Sequence, residues 1–288
     1  MTQNHASKLS PEIDTLIRNA LKEDIGSGDI TTSSTIPAGH VSVASFISKG
    51  RFTVAGLPFV KRTFMLVDKG LRFKIKTKEG TSVKRGEVLA EVMGSTRSIL
   101  MAERVALNIL QRLCGIATLT NSFVNRVKGS GVKILDTRKT APGLRYLDKY
   151  AVKLGGGHNH RFGLYDAILI KDNHIEAAGG IDNAVRLARQ GRGRGKNIEV
   201  EAGSLAEVDQ ALSAGADIIM LDNMPLDRMK KAVKLIRNSS KAATIEASGN
   251  VNPGNVRSIA KTGVDCISVG ALTHSAPAAD ISLKIKPK

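Results

Sequence analysis

The second half of the chain repeats one pattern, in which a short apolar run is followed at once by charged or polar residues. The last four runs begin at Ile198, Ile218, Thr244 and Cys266, and segments with helical apolar spacing lie between them. Runs of this length predict buried strands, and strands that alternate with helices favour a parallel sheet. This pattern constrains the fold more than any other feature, and it predicts an α/β class.

Two earlier apolar runs, at Lys133–Leu135 and Ala167–Ile170, extend this series to six strands. A complete eight-unit barrel typically takes ~250 residues, whereas these six strands occupy only about 140. We therefore expect an incomplete α/β barrel, with an open doubly wound sheet as the alternative. The preceding residues have a different pattern, because 41–92 predict strands punctuated by glycine and 98–127 predict a long helix. A helix is also expected from Pro11, with Ser10 as its N-cap.

The charge of the chain indicates an anionic partner. Its 43 lysines and arginines exceed its 26 aspartates and glutamates, so the net charge is +17. Nucleic acid, a membrane surface and phosphorylated metabolites could all be attracted by such a charge. Seven Phe, three Tyr and no Trp offer few platforms for stacking bases, and no zinc-finger or RNP-type motif is present. A phosphorylated metabolite is therefore favoured over nucleic acid.

Sequence signals of location favour the cytoplasm. The N-terminus lacks an apolar signal core, and no run approaches the ~18 apolar residues of a membrane span. We therefore expect neither a membrane nor a nucleic acid as partner. The only cysteines, Cys114 and Cys266, have no metal-ligand spacing and are expected to be free thiols in a reducing compartment.

The residues that follow the predicted strands are the candidates for chemistry, because ligands of α/β barrels and open α/β sheets bind at the carboxyl ends of the strands. Arg138, Lys139 and Lys171 follow two of the runs, and a glycine-rich loop brings His160 and Arg161. Such a cluster would form a cationic pocket for a small polyanion. The alternative is a solvated basic loop that binds nothing.

Carboxylates are expected to lie among these cations. Glu199 and Glu201 share one face of their strand by period two, as do Glu246 and Ser248. Carboxylates beside cations suit a polyanion bound as its magnesium complex. His160 and the nearby His158 could instead bind a transition metal, but no third ligand is suggested by the sequence.

Two turns that enter helices are typical of a phosphate monoester site. They are Ser248-Gly249-Asn250 and the segment VGALTHS, which contains Gly270, Ala271 and His274. The alternative for Ser248 is ordinary helix capping. On the long helix, Arg104 shares a face with Asn108 and could project into a cleft, or it could simply be solvated.

These motifs together closely resemble the quinolinate phosphoribosyltransferase family. The resemblance rests on ERVALNILQRLCGIAT, DTRKTAPGLRYLDKYAVKLGGGHNHRFGLYDAILIKDNHI, IEVEAGSL, MLDN, EASGN and VGALTHSA. It implies an N-terminal α/β sandwich domain at 1–114, joined by 271–288, and an incomplete barrel at 115–270. It also implies a homodimer or a dimer-based hexamer, and transfer of phosphoribose from phosphoribosyl pyrophosphate to quinolinate with loss of carbon dioxide.

The resemblance further implies a role for each matched residue. Arg138, His160, Arg161 and Lys171 would bind the two carboxylates of quinolinate, with Arg104 entering from the partner subunit. Lys139 and Lys171 would meet the pyrophosphate, and Glu201 and Asp222 would lie near the ribose hydroxyls and Mg²⁺, directly or through water. Those last four would be the catalytic residues. The 5′-phosphate would be surrounded by Ser248, Gly249, Asn250, Gly270, Ala271 and His274.

Two other functions remain open from the sequence. A paralogous pyrophosphorylase-like protein would keep the phosphoribosyl half of the site, including Glu201 and Asp222, but change the dicarboxylate pocket. A basic nucleic-acid-binding protein would instead spread its positive charge over a broad surface, and its affinity would fall steeply with salt.

Overall fold

A computed structural model of the chain describes residues 11–191 and 195–287. Contacts divide the chain into two compact units. Unit 1 runs to Leu119 and includes Tyr146–Gly155 and the segment from Ala276 onward, while unit 2 contains Thr120–Arg145 and Gly156–Ser275. The sequence-based boundaries assign Tyr146–Gly155 to the barrel instead. Ser10, the expected N-cap, lies outside the described residues.

The described residues form eleven helices and twelve strands. The helices are α1 (Pro11–Ile25), α2 (Ile30–Thr35), α3 (Leu57–Val67), α4 (Thr96–Arg126), α5 (Arg145–Leu154), α6 (Asp172–Ala178), α7 (Ile181–Gln190), α8 (Leu205–Ser213), α9 (Leu226–Asn238), α10 (Val256–Ala260) and α11 (Ala271–His274). The strands are β1 (Val41–Ser48), β2 (Phe52–Thr53), β3 (Arg72–Ile75), β4 (Ser82–Val83), β5 (Val88–Ser95), β6 (Lys133–Leu135), β7 (Ile168–Ile170), β8 (Ile198–Ala202), β9 (Ile218–Asp222), β10 (Thr244–Ser248), β11 (Cys266–Ser268) and β12 (Ile281–Pro287).

Unit 1 is built on an antiparallel sheet in the order β12-β1-β5-β3. Alternate residues of β1 are buried, as the period of two predicts for a strand with one face in a core. Phe46 on β1 packs edge-on against Phe64 on α3, with ring centroids 5.8 Å apart. The expected strands at 41–48 and within 88–95 are confirmed, and so is the long helix α4.

Two helices of unit 1 were not predicted from the sequence. Helix α2 begins at Ile30, where Asp29 caps it by accepting a hydrogen bond from the Thr32 N–H at 2.9 Å. Helix α3 interrupts the stretch that was predicted as strands. Its entry depends on Gly56, whose φ of 110° favours glycine, and on a long-range cap from Glu79 that local spacing does not reveal.

Unit 2 is built on one parallel sheet in the order β6-β11-β10-β9-β8-β7. The strands begin at, or within one residue of, the six apolar runs that predicted them. The first strand, β6, lies beside the last, β11, as in a barrel, whereas a doubly wound sheet reverses its strand order in the middle. Among the described residues no ladder joins β6 to β7, so the incomplete barrel is confirmed and the doubly wound alternative is wrong.

A repeated aspartate fixes the register at the amino ends of the strands in unit 2. Asp217 accepts a hydrogen bond from the Ile198 N–H, and Asp265 accepts one from the Ile245 N–H, both at 2.7 Å. Each aspartate also pairs with an arginine of a preceding helix, Arg189 in the first case and Arg237 in the second. These shared contacts explain why the sequence repeats a glycine and an aspartate two residues apart, at 215–217 and 263–265, directly before β9 and β11.

Candidate active site

A cavity of about 570 Å³ opens at the carboxyl ends of the strands of unit 2. Its walls carry four of the cations predicted from the sequence, Arg138, Lys139, Arg161 and Lys171. These side chains come from the end of β6, the glycine-rich loop and the end of β7. The carboxyl ends of adjacent parallel strands meet at one edge, and this places residues from distant parts of the sequence around a common space.

The glycine-rich loop is held against β6 by backbone pairing. The His158 N–H donates to the Ile134 carbonyl at 2.8 Å, and the His158 carbonyl accepts from the Asp136 N–H at 3.0 Å. The buried Asp136 side chain then accepts hydrogen bonds from the His160 N–H and the Asn159 amide, at 2.8 and 2.6 Å. These contacts fix the position from which the loop presents His160 and Arg161 to the cavity.

Acidic and hydroxyl groups line the same cavity. Glu201, Asp222 and Ser248 come from the ends of β8, β9 and β10, where the sequence placed them. Glu201 forms an ion pair with Lys171. Burial and the nearby charge of Arg138 lower the pKa of Arg161, while the surrounding carboxylates raise it. The cavity therefore combines positive charge for an anion with oxygen ligands of the kind that Mg²⁺ prefers.

The turn after β10 is packed against the end of β9. Gly249 has a φ of 94°, and a Cβ there would lie 2.1 Å from the Asn223 amide oxygen, so only glycine fits. Asn250, with a φ of 49°, donates to the same Asn223 oxygen at 3.1 Å. Asn223 in turn donates to the Asp222 carboxylate at 2.9 Å. Gly249 and Asn250 are not among the residues that line the cavity, but this chain of contacts ties them to Asp222.

The turn after β11 lies close to Lys139. A Cβ on Gly270 would lie 3.0 Å from the Lys139 Cδ and 3.3 Å from the His274 ring, so these three residues are in contact range. The Thr273 hydroxyl also donates to the Lys139 carbonyl at 2.8 Å. Ala271 begins the short helix α11. Arg104 belongs to unit 1, where it is exposed on α4.

At the base of the cavity His160 lies close to two buried glutamates, of which Glu246 lines the cavity and Glu199 lies behind the lining residues. His160 Nε2 lies 2.9 Å from Glu199 Oε2 and 3.8 Å from Glu246 Oε2. Glu246 lines the cavity with His160, and burial together with the charge of Glu199 raises the pKa of Glu246 to about 7, opposed by His160. One side-chain nitrogen or oxygen from each of the three residues lies within 4.8 Å of the others, so their charges act directly on one another.

Some cavity residues were missing from the site predicted from the sequence. Thr137, Asn223 and Ser268 all line the cavity. Each follows or ends an apolar run. The rule that ligands bind at the carboxyl ends of the strands, which predicted their neighbours, therefore applies to them as well. Glu246 was predicted to share a face with Ser248 but was not assigned to the site.

A larger cavity of about 740 Å³ lies at the opposite, amino ends of the strands. Its charged residues include Arg237 and Asp265, which form an ion pair. Asp265 also accepts a hydrogen bond from the backbone at the start of β10. These groups already have structural partners. The cavity at the carboxyl ends is therefore the better candidate for catalysis.

None of the helices in residues 11–191 and 195–287 combines the length and the apolar character needed to cross a bilayer.

Family models match nearly the whole chain. Residues 29–114 match the model described as the N-terminal domain of quinolinate phosphoribosyl transferase, and residues 116–284 match that of its C-terminal domain. An incomplete barrel with this cavity defines a phosphoribosyltransferase of that kind. The chain belongs to the quinolinate phosphoribosyl transferase family.

Individual relatives agree with the family. A probable nicotinate-nucleotide pyrophosphorylase [carboxylating] of Synechocystis is 45% identical over 95% of this chain and 92% of its own length. The Bacillus subtilis protein with the same description is 44% identical over 94% of this chain and 92% of its length. The crystal structure of NadC from Streptococcus pyogenes has a TM-score of 0.92 at 40% identity, covering 98% of this chain and 99% of that one.

Proposed function

We propose that this protein transfers the phosphoribosyl group of phosphoribosyl pyrophosphate to quinolinate and removes one carboxylate. The products are nicotinate mononucleotide, pyrophosphate and carbon dioxide, a step of de novo NAD biosynthesis. The observation that carries this proposal is the cavity in which four cations meet Glu201, Asp222 and Ser248 at the strand ends of unit 2. The relatives of Synechocystis and Bacillus subtilis are named for the same pyrophosphorylase activity.

The acceptor half of the site is the cationic wall. Quinolinate is a dianion, and guanidinium groups bind carboxylates through paired hydrogen bonds. We assign its two carboxylates to Arg138 and Arg161, with Lys171 and His160 beside them. The buried Nε of each arginine makes no hydrogen bond within the described part of the chain, so both side chains retain a donor for a ligand.

The donor half of the site combines Lys139 and Lys171 with Glu201 and Asp222. The lysines would neutralise the pyrophosphate as it leaves. Glu201 and Asp222 face the cavity with carboxylate oxygens, the ligands that fit Mg²⁺, and would hold the ion directly or through water. When bound, the ion supplies positive charge to the departing pyrophosphate. The 5′-phosphate is assigned to the two turns, at Ser248, Gly249, Asn250, Gly270, Ala271 and His274.

Catalysis in this proposal depends on position and charge and needs no covalent nucleophile. The cationic wall holds the pyridine nitrogen in line with C1 of the ribose, and the nitrogen attacks as the C1–oxygen bond to pyrophosphate breaks. The ring nitrogen then carries a positive charge. This charge stabilises the electron pair that stays on the adjacent ring carbon, C2, when the carboxylate there departs as carbon dioxide.

We further propose a dimer, alone or within a hexamer, in which Arg104 serves the cavity of the partner subunit. Arg104 is exposed on α4 and is therefore accessible to a second subunit. Mixing Arg104→Ala with Lys139→Ala tests this arrangement, because a mixed dimer would recover one intact site. Two inactive variants that regain no activity after mixing would contradict it.

Purified protein with Mg²⁺, phosphoribosyl pyrophosphate and quinolinate tests the reaction itself. The proposal predicts equal amounts of pyrophosphate, carbon dioxide and nicotinate mononucleotide. Turnover with nicotinate in place of quinolinate, and none with quinolinate, would reject the acceptor and favour a paralogous activity. Binding of nucleic acid with a steep salt dependence, without turnover, would favour a nucleic-acid-binding protein.

A further inference from the structure

Glu246 occupies an unusual position at the base of the cavity. It lies on β10 two residues before Ser248, which places it about 7 Å deeper along the strand at ~3.3 Å per residue. Its side chain is only 3% exposed, yet it contributes to the cavity lining. Glu246 is therefore shielded from bulk water and still faces the space assigned to the substrates.

The Glu246 carboxyl has few partners for a buried carboxylate. The Ser268 side chain on β11 lowers its pKa, but burial and the charge of Glu199 outweigh this effect. Its Oε1 has no hydrogen-bond partner within the described residues. Its Oε2 lies 3.8 Å from His160 Nε2, which is beyond hydrogen-bond distance. A buried carboxylate without donors is strongly disfavoured, and such a group retains its proton instead.

Among the described residues, the ionisable groups that act on Glu246 come from three neighbouring elements. Strand β8 contributes Glu199 and Glu201, the glycine-rich loop contributes His160, and β11 contributes Cys266. Two of these are carboxylates, and Cys266 is a thiol whose pKa burial raises to about 11. His160, the one group here that can carry positive charge, makes its hydrogen bond to Glu199 rather than to Glu246. The surroundings therefore favour a neutral Glu246.

The proposed reaction requires a proton donor in this region. When carbon dioxide leaves, the C2–carboxylate bond breaks and its electron pair stays on C2 of the pyridinium ring. C2 must then gain a proton. Arginine does not give up its proton. Lys171 is held in an ion pair with Glu201, and the His160 Nε2 is engaged with Glu199.

We propose that Glu246 is the general acid that protonates C2 of the ring after carbon dioxide departs. The O–H bond of the carboxyl breaks, the C2–H bond forms, and Glu246 is left as a carboxylate that regains its proton from solvent after the product leaves. This inference rests on the proposed function. It adds a catalytic residue to the cavity and assigns a role to the buried carboxyl at the bottom of the cavity.

A rapid-quench experiment with Glu246→Gln separates the two chemical steps. Glutamine keeps the shape of the side chain but has no carboxyl proton. In a single turnover with quinolinate, phosphoribosyl pyrophosphate and Mg²⁺, pyrophosphate release should stay within about threefold of wild type, because that step does not use the acid. Carbon dioxide release should slow by about 100-fold, the lower end of typical general-acid contributions.

The carboxylated mononucleotide should accumulate in this variant, because carbon dioxide in the cavity recombines with a ring carbon that has not been protonated. Glu246→Asp restores a carboxyl and should recover part of the rate. In wild type, decarboxylation should slow as pH rises through about 7, and Glu246→Gln should lose this dependence. A thermal unfolding curve of each variant shows whether it is folded.

Three outcomes would overturn the assignment. They are wild-type carbon dioxide release in folded Glu246→Gln, an unchanged pH dependence in that variant, and an equal slowing of pyrophosphate and carbon dioxide release. Failure of the proposed function is distinguishable, since wild-type protein would then release no pyrophosphate with quinolinate.

Discussion

Two glutamates with raised pKa, one in each unit, show how differently a carboxyl can be used. Glu79 in unit 1 accepts hydrogen bonds from the Gly56 and Leu57 N–H groups and from the Tyr150 hydroxyl, at 2.8 to 3.0 Å. Burial raises the pKa of Glu79, and these donors oppose the shift. Glu246 in unit 2 has an Oε1 without a hydrogen-bond partner among the described residues, and only His160 and Ser268 oppose the rise of its pKa. Glu79 is thus part of the fold, whereas Glu246 retains a proton and an unused oxygen beside a cavity.

The largest expected effect comes from substituting a cation in the wall of the cavity, and not from substituting Glu246 at its bottom. Arg161→Ala should raise the KM for quinolinate by roughly 100-fold or more, because it removes a charge-assisted contact from a partly buried dianion site. The KM for phosphoribosyl pyrophosphate should change much less. Steady-state kinetics with each substrate varied in turn measure both values. Equal losses for the two substrates would mean that Arg161 does not belong to the acceptor half.

Glu79→Ala should lower the free energy of unfolding by about 3 kcal/mol, because two N–H groups at the start of α3 and one phenol lose their acceptor. Chemical denaturation followed by circular dichroism measures the change. Glu79→Gln is the matched control, and it should lose less because its amide oxygen still accepts. If the free energy of unfolding of the alanine variant changes by less than about 0.5 kcal/mol, Glu79 does not have the structural role assigned to it.

Glu246→Gln should have the opposite effect on stability. The folded pKa of Glu246 lies at about 7, above its ordinary value of 4.5, so its contribution to wild-type stability is full below about 4.5 and is lost as pH rises to about 7. Glutamine does not titrate. The variant should therefore gain about 2 kcal/mol over wild type at pH ~8 and much less at pH ~5. Denaturation at both values checks this, and a variant less stable at both would show that the carboxylate is needed for folding.

The smallest effect is expected for Tyr150→Phe in unit 1. It removes one of the donors to Glu79 but keeps the edge-on packing of the ring against Phe59, whose centroid lies 4.9 Å away. The loss should be about 1 kcal/mol, as for one hydrogen bond. The pKa of Glu79 should rise further, because one of the groups that lower it is gone. A loss as large as that of Glu79→Ala would mean that Tyr150 acts mainly through packing.

The two carboxyls also mark the limit of what the sequence predicts. Period-two spacing placed Glu246 on the same face as Ser248, and the strand-end rule placed Glu201 and Asp222 in the cavity. The donors around a carboxyl could not be predicted in this way. Glu79 meets the start of a helix more than twenty residues earlier in the chain and a tyrosine from α5, and these contacts arise only from packing.

The six parallel strands could be predicted because each apolar run is short, buried and ended by charge. Helix α3 could not, since its start relies on that distant cap. The glycine-rich loop was predicted as a loop, but its pairing with β6 through His158 depends on the open edge of the barrel. The number of strands and their positions along the chain could be predicted from local patterns. The pairing of the loop with the edge strand β6 could not.

Carbon-13 NMR of glutamate side chains, labelled at the carboxyl carbon, tests most directly whether Glu246 carries a proton near neutral pH. One signal should titrate at a pH of about 7 in wild type, and it should vanish in Glu246→Gln but persist in Glu79→Gln. The Glu246 signal is the one that is absent from the Glu246→Gln spectrum. If this signal titrates near the ordinary glutamate pKa in wild type, the Glu246 carboxyl is ionised at neutral pH and cannot be the proposed proton donor.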